Sequence, residues 1–160
     1  MRTTRWTVLT ATVLATASLG ACGAGGADPA AGPAGDPTAA ASAAAASAAD
    51  DAATCAAYGD VLTIVENADL GLAEGRMAAQ EQRGWYELAT RVLDRLPSDG
   101  DGAVRSAVAA LQEAVPEVPT GTAAESTGVG SPAWAQAEAE LATACEDAGA
   151  PLSLRVFTGG

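Results

Sequence analysis

Four stretches of this chain repeat their large apolar side chains three and four residues apart, and glycine or proline stands at the breaks between them. That spacing is the period of a helix buried along one side; a half-buried strand would alternate every second residue. The first stretch starts near Asp50 or Asp51, acids that favour a helix N-terminus, and carries Cys55, Tyr58, Leu62, Val65 and Leu72, with Val61 and Ile64 widening the stripe. Gly71 and Gly75 mark its turn. The second runs from about Arg76 to Leu96, with Met77, Trp85, Leu88, Val92 and Leu96 on one face and Leu93 beside them. Gly84 in its middle weakens it by about 1 kcal/mol relative to alanine, and Pro97 stops it.

The third stretch, about Ala103 to Val115, aligns Val104, Val108, Leu111 and Val115 and ends at Pro116 and Pro119. Thr120 to Gly130 is rich in glycine, threonine and serine and reads as a long, mobile loop. Ser131-Pro132 is a helix-start signature: the hydroxyl caps free N–H groups, and proline suits the first turn, where its missing N–H costs nothing. The fourth helix carries Trp134, Leu141 and Cys145 and stops at Gly149, ahead of Pro151. Leu152, Leu154, Val156 and Phe157 then make residues 151–160 apolar enough to pack across the helices or to form a short extended stretch. Four amphipathic helices with mostly short links predict an all-α fold, a small antiparallel four-helix bundle over residues 51–160.

Upstream, residues 22–50 contain no large apolar side chain and read as a flexible Ala/Gly/Pro-rich tether, because such a segment buries too little surface to offset its ordering entropy. Within it, the alanine run Ala39 to Ala49 has the propensity to extend the first helix backward.

The N-terminus carries Arg2 and Arg5, then an apolar run from Trp6 to Leu19 that is too short for an ordinary membrane-spanning helix of about 20 residues. Leu19-Gly20-Ala21-Cys22 closes it. The stretch resembles the lipobox of bacterial lipoprotein signal peptides: leucine, two small residues, then cysteine. The resemblance covers about the first 25 residues and implies a signal peptide over 1–21, cleavage between Ala21 and Cys22, and a diacylglyceryl group on the Cys22 sulfur. It places the remainder on the outer face of the cell membrane, held there by lipid. The whole chain, rich in alanine and glycine and without lysine, resembles the small actinobacterial lipoproteins that have no assigned activity.

With Cys22 set aside for lipid, Cys55 and Cys145 remain, and an oxidising compartment makes their disulfide the expected state. Loss of Arg2 and Arg5 with the signal would take the formal net charge from −12 to −14, which disfavours nucleic acid and anionic lipid as electrostatic partners. No histidine is present, so Ser-His-Asp and Cys-His catalysis and Glu-x-x-His metal sites are excluded. Asp99-Gly100-Asp101-Gly102 lacks the later ligands of a calcium loop, and Gly128-Val129-Gly130 lacks the strand and lysine of a phosphate loop. Glu66, Asp69 and Glu74 form a carboxylate cluster expected to be solvated.

No catalytic residue, metal site or cofactor beyond the covalent lipid is assigned. Trp85, Tyr86 and Trp134 are the candidate ligand or partner contacts; Trp85 and Trp134 fall on core stripes, and Tyr86, one residue off its stripe, is the better placed to face a partner. The expected activity is that of a non-enzymatic interaction module binding an envelope protein or polymer. The alternative is a small-ligand binder with a pocket of about 300 Å³ or more, lined by Trp85, Leu141 or Val108. Oligomeric state is left open by the sequence.

Overall fold

A computed structural model describes residues 37–122, 124 and 126–157. Leu19-Gly20-Ala21-Cys22, the signal segment and the tether as far as residue 36 lie outside the described residues. Four helices account for the secondary structure, and the described residues contain no strand: α1 spans Pro37–Ala73, α2 Ala79–Asp94, α3 Ala103–Ala114 and α4 Pro132–Asp147.

The core draws on all four stretches, with Ala89, Leu93 and Leu96 as the contribution of the second. Cys55, Tyr58, Val61, Leu62 and Val65 of α1 meet Val104, Val108 and Leu111 of α3 and Trp134, Leu141 and Cys145 of α4. The sulfurs of Cys55 and Cys145 stand at disulfide distance, 2.04 Å, and connect α1 to α4 across 90 positions of sequence. The start of α4 follows its signature: Ser131 is the N-cap, its hydroxyl accepts from the Trp134 N–H, and Pro132 opens the helix.

Two sequence expectations need correction. The first concerns the tether. Residues 37–50 are helical rather than coil, as an unbroken extension of α1. Residues 38–50 are exposed throughout, so burial is not the cause. Alanine has the highest helix propensity, and adding residues to an existing helix avoids the unfavourable nucleation step.

The second concerns α2, whose expected stripe divides: Leu96 and its neighbour Leu93 are buried in the core, whereas Met77, Trp85, Leu88 and Val92 are not fully buried. Ala89 and Thr90 turn inward with Leu93, and Trp85 is 42% exposed. Two polar contacts set this rotation. The Tyr86 hydroxyl donates to Asp69 of α1, and Gln82 Nε2 donates to the same carboxylate at 2.7 Å. On the next turns Thr90 Oγ1 accepts from Val118 N–H at 3.0 Å while donating to the Glu87 carbonyl, so its buried hydroxyl is satisfied on both sides. Ala89 and Thr90 are small enough to bring the α2 backbone close to its neighbours, which an indole at that position would prevent. The loop after α3 also closes on the core, through buried Val118 and Thr127. Gln112 of α3 donates to the carbonyls of Leu93 and Leu96, each at 3.0 Å, tying α3 to the end of α2.

Candidate functional site

The α1–α2 turn builds a cleft. Arg76 and Met77 N–H groups both return to the Gly71 carbonyl, at 2.9 and 3.0 Å, and Gly75 takes a left-handed φ of +70° that suits glycine. This turn folds Met77 back over α1, with its side chain packed on Gly71. Ile64 and Ala68 of α1, Met77 and Trp85 then form apolar walls, and Phe157 lies at the mouth. Thr63, Asn67 and Arg76 supply the polar lining of this cleft of about 310 Å³. Arg76 is turned to Glu74 at 2.6 Å, on an exposed edge.

Residues 151–157 run beside the cleft along α1. Arg155 donates its N–H to Thr63 Oγ1 at 3.0 Å, and its carbonyl accepts from Asn67 Nδ2 at 2.7 Å. Phe157 N–H donates to Asn67 Oδ1 at 2.6 Å. Ser153 O occupies the space a side chain on Gly59 would need. The segment lies along α1 with alternate residues turned to the helix and without forming a strand.

The three aromatic candidates part company. Trp134 is buried in the core beside Tyr58, ring centroids 6.2 Å apart. Tyr86, expected to face a partner, is half-buried and committed to Asp69 and Gln82. Burial, the hydrogen bond to Asp69 and the charges of Asp69 and Glu66 all push its hydroxyl pKa above the usual tyrosine range. Trp85, expected in the core, is the one of the three open to a partner. Ala21 and Cys22 lie outside the described residues.

The expected pocket lining also divides. Trp85 lines the cleft, whereas Leu141 and Val108 are fully buried core residues. The carboxylates separate as well: Glu74 pairs with Arg76, Asp69 serves Tyr86, and Glu66 acts on Tyr86 and Glu138 through its charge. Asp99 contributes its carbonyl to Arg105, and among the described residues no cluster of three acids or cysteines could hold a metal ion.

Beyond the aromatic candidates, the structure adds Gly59, Thr63 and Asn67. They lie at four-residue steps along one stripe of α1. That periodicity was the available signal, but a stripe of small polar residues is also what a solvated face looks like. Comparison with protein-family profiles, with curated proteins and with solved structures returns no match.

Proposed function

We propose that this protein is a lipoprotein, anchored through a diacylglyceryl group on Cys22 to the outer face of the cell membrane, whose helical domain is a non-enzymatic interaction module of the cell envelope. In this reading cleavage falls between Ala21 and Cys22, and the Cys55–Cys145 pair is a staple suited to an oxidising compartment. The helices alternate in direction as an antiparallel bundle. Asp69 near the end of α1 meets Gln82 near the start of α2, and Cys55 of α1 meets Cys145 near the end of α4, contacts that suit this arrangement.

The observation that carries the reading is the exposed Trp85 at the α1–α2 cleft. Exposed aromatics in a partly enclosed apolar surface are what partner surfaces present, and tryptophan dominates binding energy where it is buried on association. A second reading, a small-ligand site, is favoured by the same cleft, whose volume of about 310 Å³ reaches the lower end of ligand pockets, roughly 300 Å³.

Two measurements test this. Cys22→Ser should release the protein from membranes, whereas full retention would sink the anchor. A photoreactive residue placed at Trp85 in the lipidated protein should give a reproducible protein or polymer adduct in cells, and one placed at Ala139, an exposed position of α4, should not. No adduct from position 85, combined with a melting shift on adding a small apolar compound, would move the assignment to ligand binding.

A further inference from the structure

Segment 151–157 and α1 fit by a match of repeats. Gly59, Thr63 and Asn67 follow one another every four residues, about 6.0 Å of helix per step. Ser153, Arg155 and Phe157, the residues they hold, follow every two, about 6.6 Å of extended chain per step. The helix therefore holds alternate residues by main chain, bonding the Arg155 N–H and carbonyl and the Phe157 N–H, while the Ser153 carbonyl lies against Gly59 in the space a side chain would fill.

Main-chain groups of intervening residues in an extended chain point the opposite way. Those of Leu152, Leu154 and Val156 take part in no hydrogen bond among the described residues. An extended segment bonded along one edge only is a template for another extended segment. Leu152 rests partly on the core, but beyond it the side chains are uncovered: Leu154 is 40%, Val156 46% and Phe157 63% exposed, three of the four exposed large apolar residues among those described, with Trp85 the fourth.

We propose that the outer edge of residues 152–156 is a dimerisation edge, on which the same segment of a second copy pairs antiparallel about a twofold axis centred on Leu154. The edge is self-complementary, as an isologous interface requires. Centred on Leu154, it sets Leu154 against its own counterpart and Leu152 against Val156, apolar opposite apolar, with an exchange of main-chain bonds at each pair. Centred on Arg155, it would oppose two guanidinium groups, which is destabilising.

Charge favours the same occupant. The chain is strongly acidic, at −12, yet residues 148–160 contain no acid, and Arg155 is their one charge. Asp60 and Glu66 are exposed on α1 on either side of the stripe that holds the segment. Each copy thus brings a cation to a partner surface bordered by carboxylates, where most other approaches bring acid to acid.

The test uses the full-length chain in mild detergent, followed by sedimentation over a concentration series. The wild type should be a reversible dimer. Val156→Pro removes one outward N–H per copy, two per dimer, and leaves the bonds to Thr63 and Asn67 in place, so the dissociation constant should rise about 30-fold. Should this variant lose helicity by circular dichroism, a thiol decides instead. In a Cys22→Ser background, Leu154→Cys should oxidise to a covalent dimer, because the axis brings the two Cα atoms to about 5.5 Å. A wild type that is monomeric up to roughly 1 mM, a dimer indifferent to Val156→Pro in a folded variant, or a Leu154→Cys chain that does not crosslink overturns the proposal.

Discussion

Trp134 and Trp85 stand on helices of the same length, sixteen residues each, and both fall on an apolar stripe in the sequence, yet one is 4% exposed and the other 42%. Trp134 sits in the first turn of α4, where Ser131 and Pro132 fix the helix start, and its ring packs on Tyr58. Nothing comparable fixes Trp85. Its neighbour Gly84 faces open space, and the rotation of α2 is set by Tyr86, Gln82 and Thr90 through hydrogen bonds. An apolar stripe thus determines which way a helix faces only where no stronger directional contact competes. Where one does, the stripe that loses becomes exposed apolar surface.

The largest test of this contrast is truncation of each indole. Trp134→Ala should cost about 3–5 kcal/mol of unfolding free energy, since it empties a closed core site, whereas Trp85→Ala should cost less than about 1 kcal/mol. Chemical denaturation of the two variants measures both. Equal losses would mean that Trp85 packs as a core residue, and the contrast between the two helices would fail.

The same contrast explains what could be read from the sequence. The faces of α1, α3 and α4 were legible because they are marked by bulky residues, Tyr58, Leu62, Val104, Val108, Leu111, Leu141, whose burial dominates the energetics. The start of α4 was legible because serine followed by proline has a local mechanism that needs no tertiary partner. The face of α2 was legible only at its end, in Leu93 and Leu96; its earlier turns are marked by Ala89 and Thr90, which weigh little on any hydrophobic pattern, and by a Tyr–Asp pair 17 positions apart. The stripe holding residues 153–157 was illegible for a different reason. It reads main chain, so the segment it holds need carry no signature, and Gly59, Thr63 and Asn67 taken singly look like ordinary surface.

A pair of tyrosines sharpens the comparison at smaller magnitude. Tyr86 owes its position to its hydroxyl, which donates to Asp69, while Tyr58 is fully buried and its hydroxyl has no partner among the described residues. Tyr86→Phe should therefore destabilise by about 1–2 kcal/mol, because it leaves the half-buried Asp69 carboxylate without its principal donor. Tyr58→Phe should be neutral or stabilising by up to about 1 kcal/mol, since it removes a desolvated hydroxyl and keeps the ring against Trp134. Thermal unfolding of the two variants under one condition resolves the signs. A destabilising Tyr58→Phe would mean that the core at α4 is held by a polar contact, as α2 is, and the contrast between the two regions would fail.

The smallest expected effect lies at the polar border of the Trp134 site. Glu138 is half-buried on α4, and its pKa lies above the ordinary value of 4.5. Burial is the main cause; a hydrogen bond from the Trp134 side chain pulls it down, and the charge of Glu66 pushes it up. A carboxyl with a raised folded pKa binds its proton more tightly in the folded state than in the unfolded one. Its stabilising contribution is therefore complete below the ordinary value and is lost as pH rises through the folded value. At pH 7 the ionised carboxylate is a mild liability, reduced by solvent screening because the group is partly exposed. Glu138→Gln keeps an acceptor for the indole and removes the charge, so it should raise the melting temperature at pH 7 by about 1–2 °C. That advantage should shrink toward zero as pH falls to about 4, where the wild-type carboxyl is protonated. A melting temperature lowered by Glu138→Gln at pH 7 would reverse the conclusion: the indole would then stabilise the ionised carboxylate by more than burial penalises it, and Trp134 would owe its place to a directional contact as well as to packing.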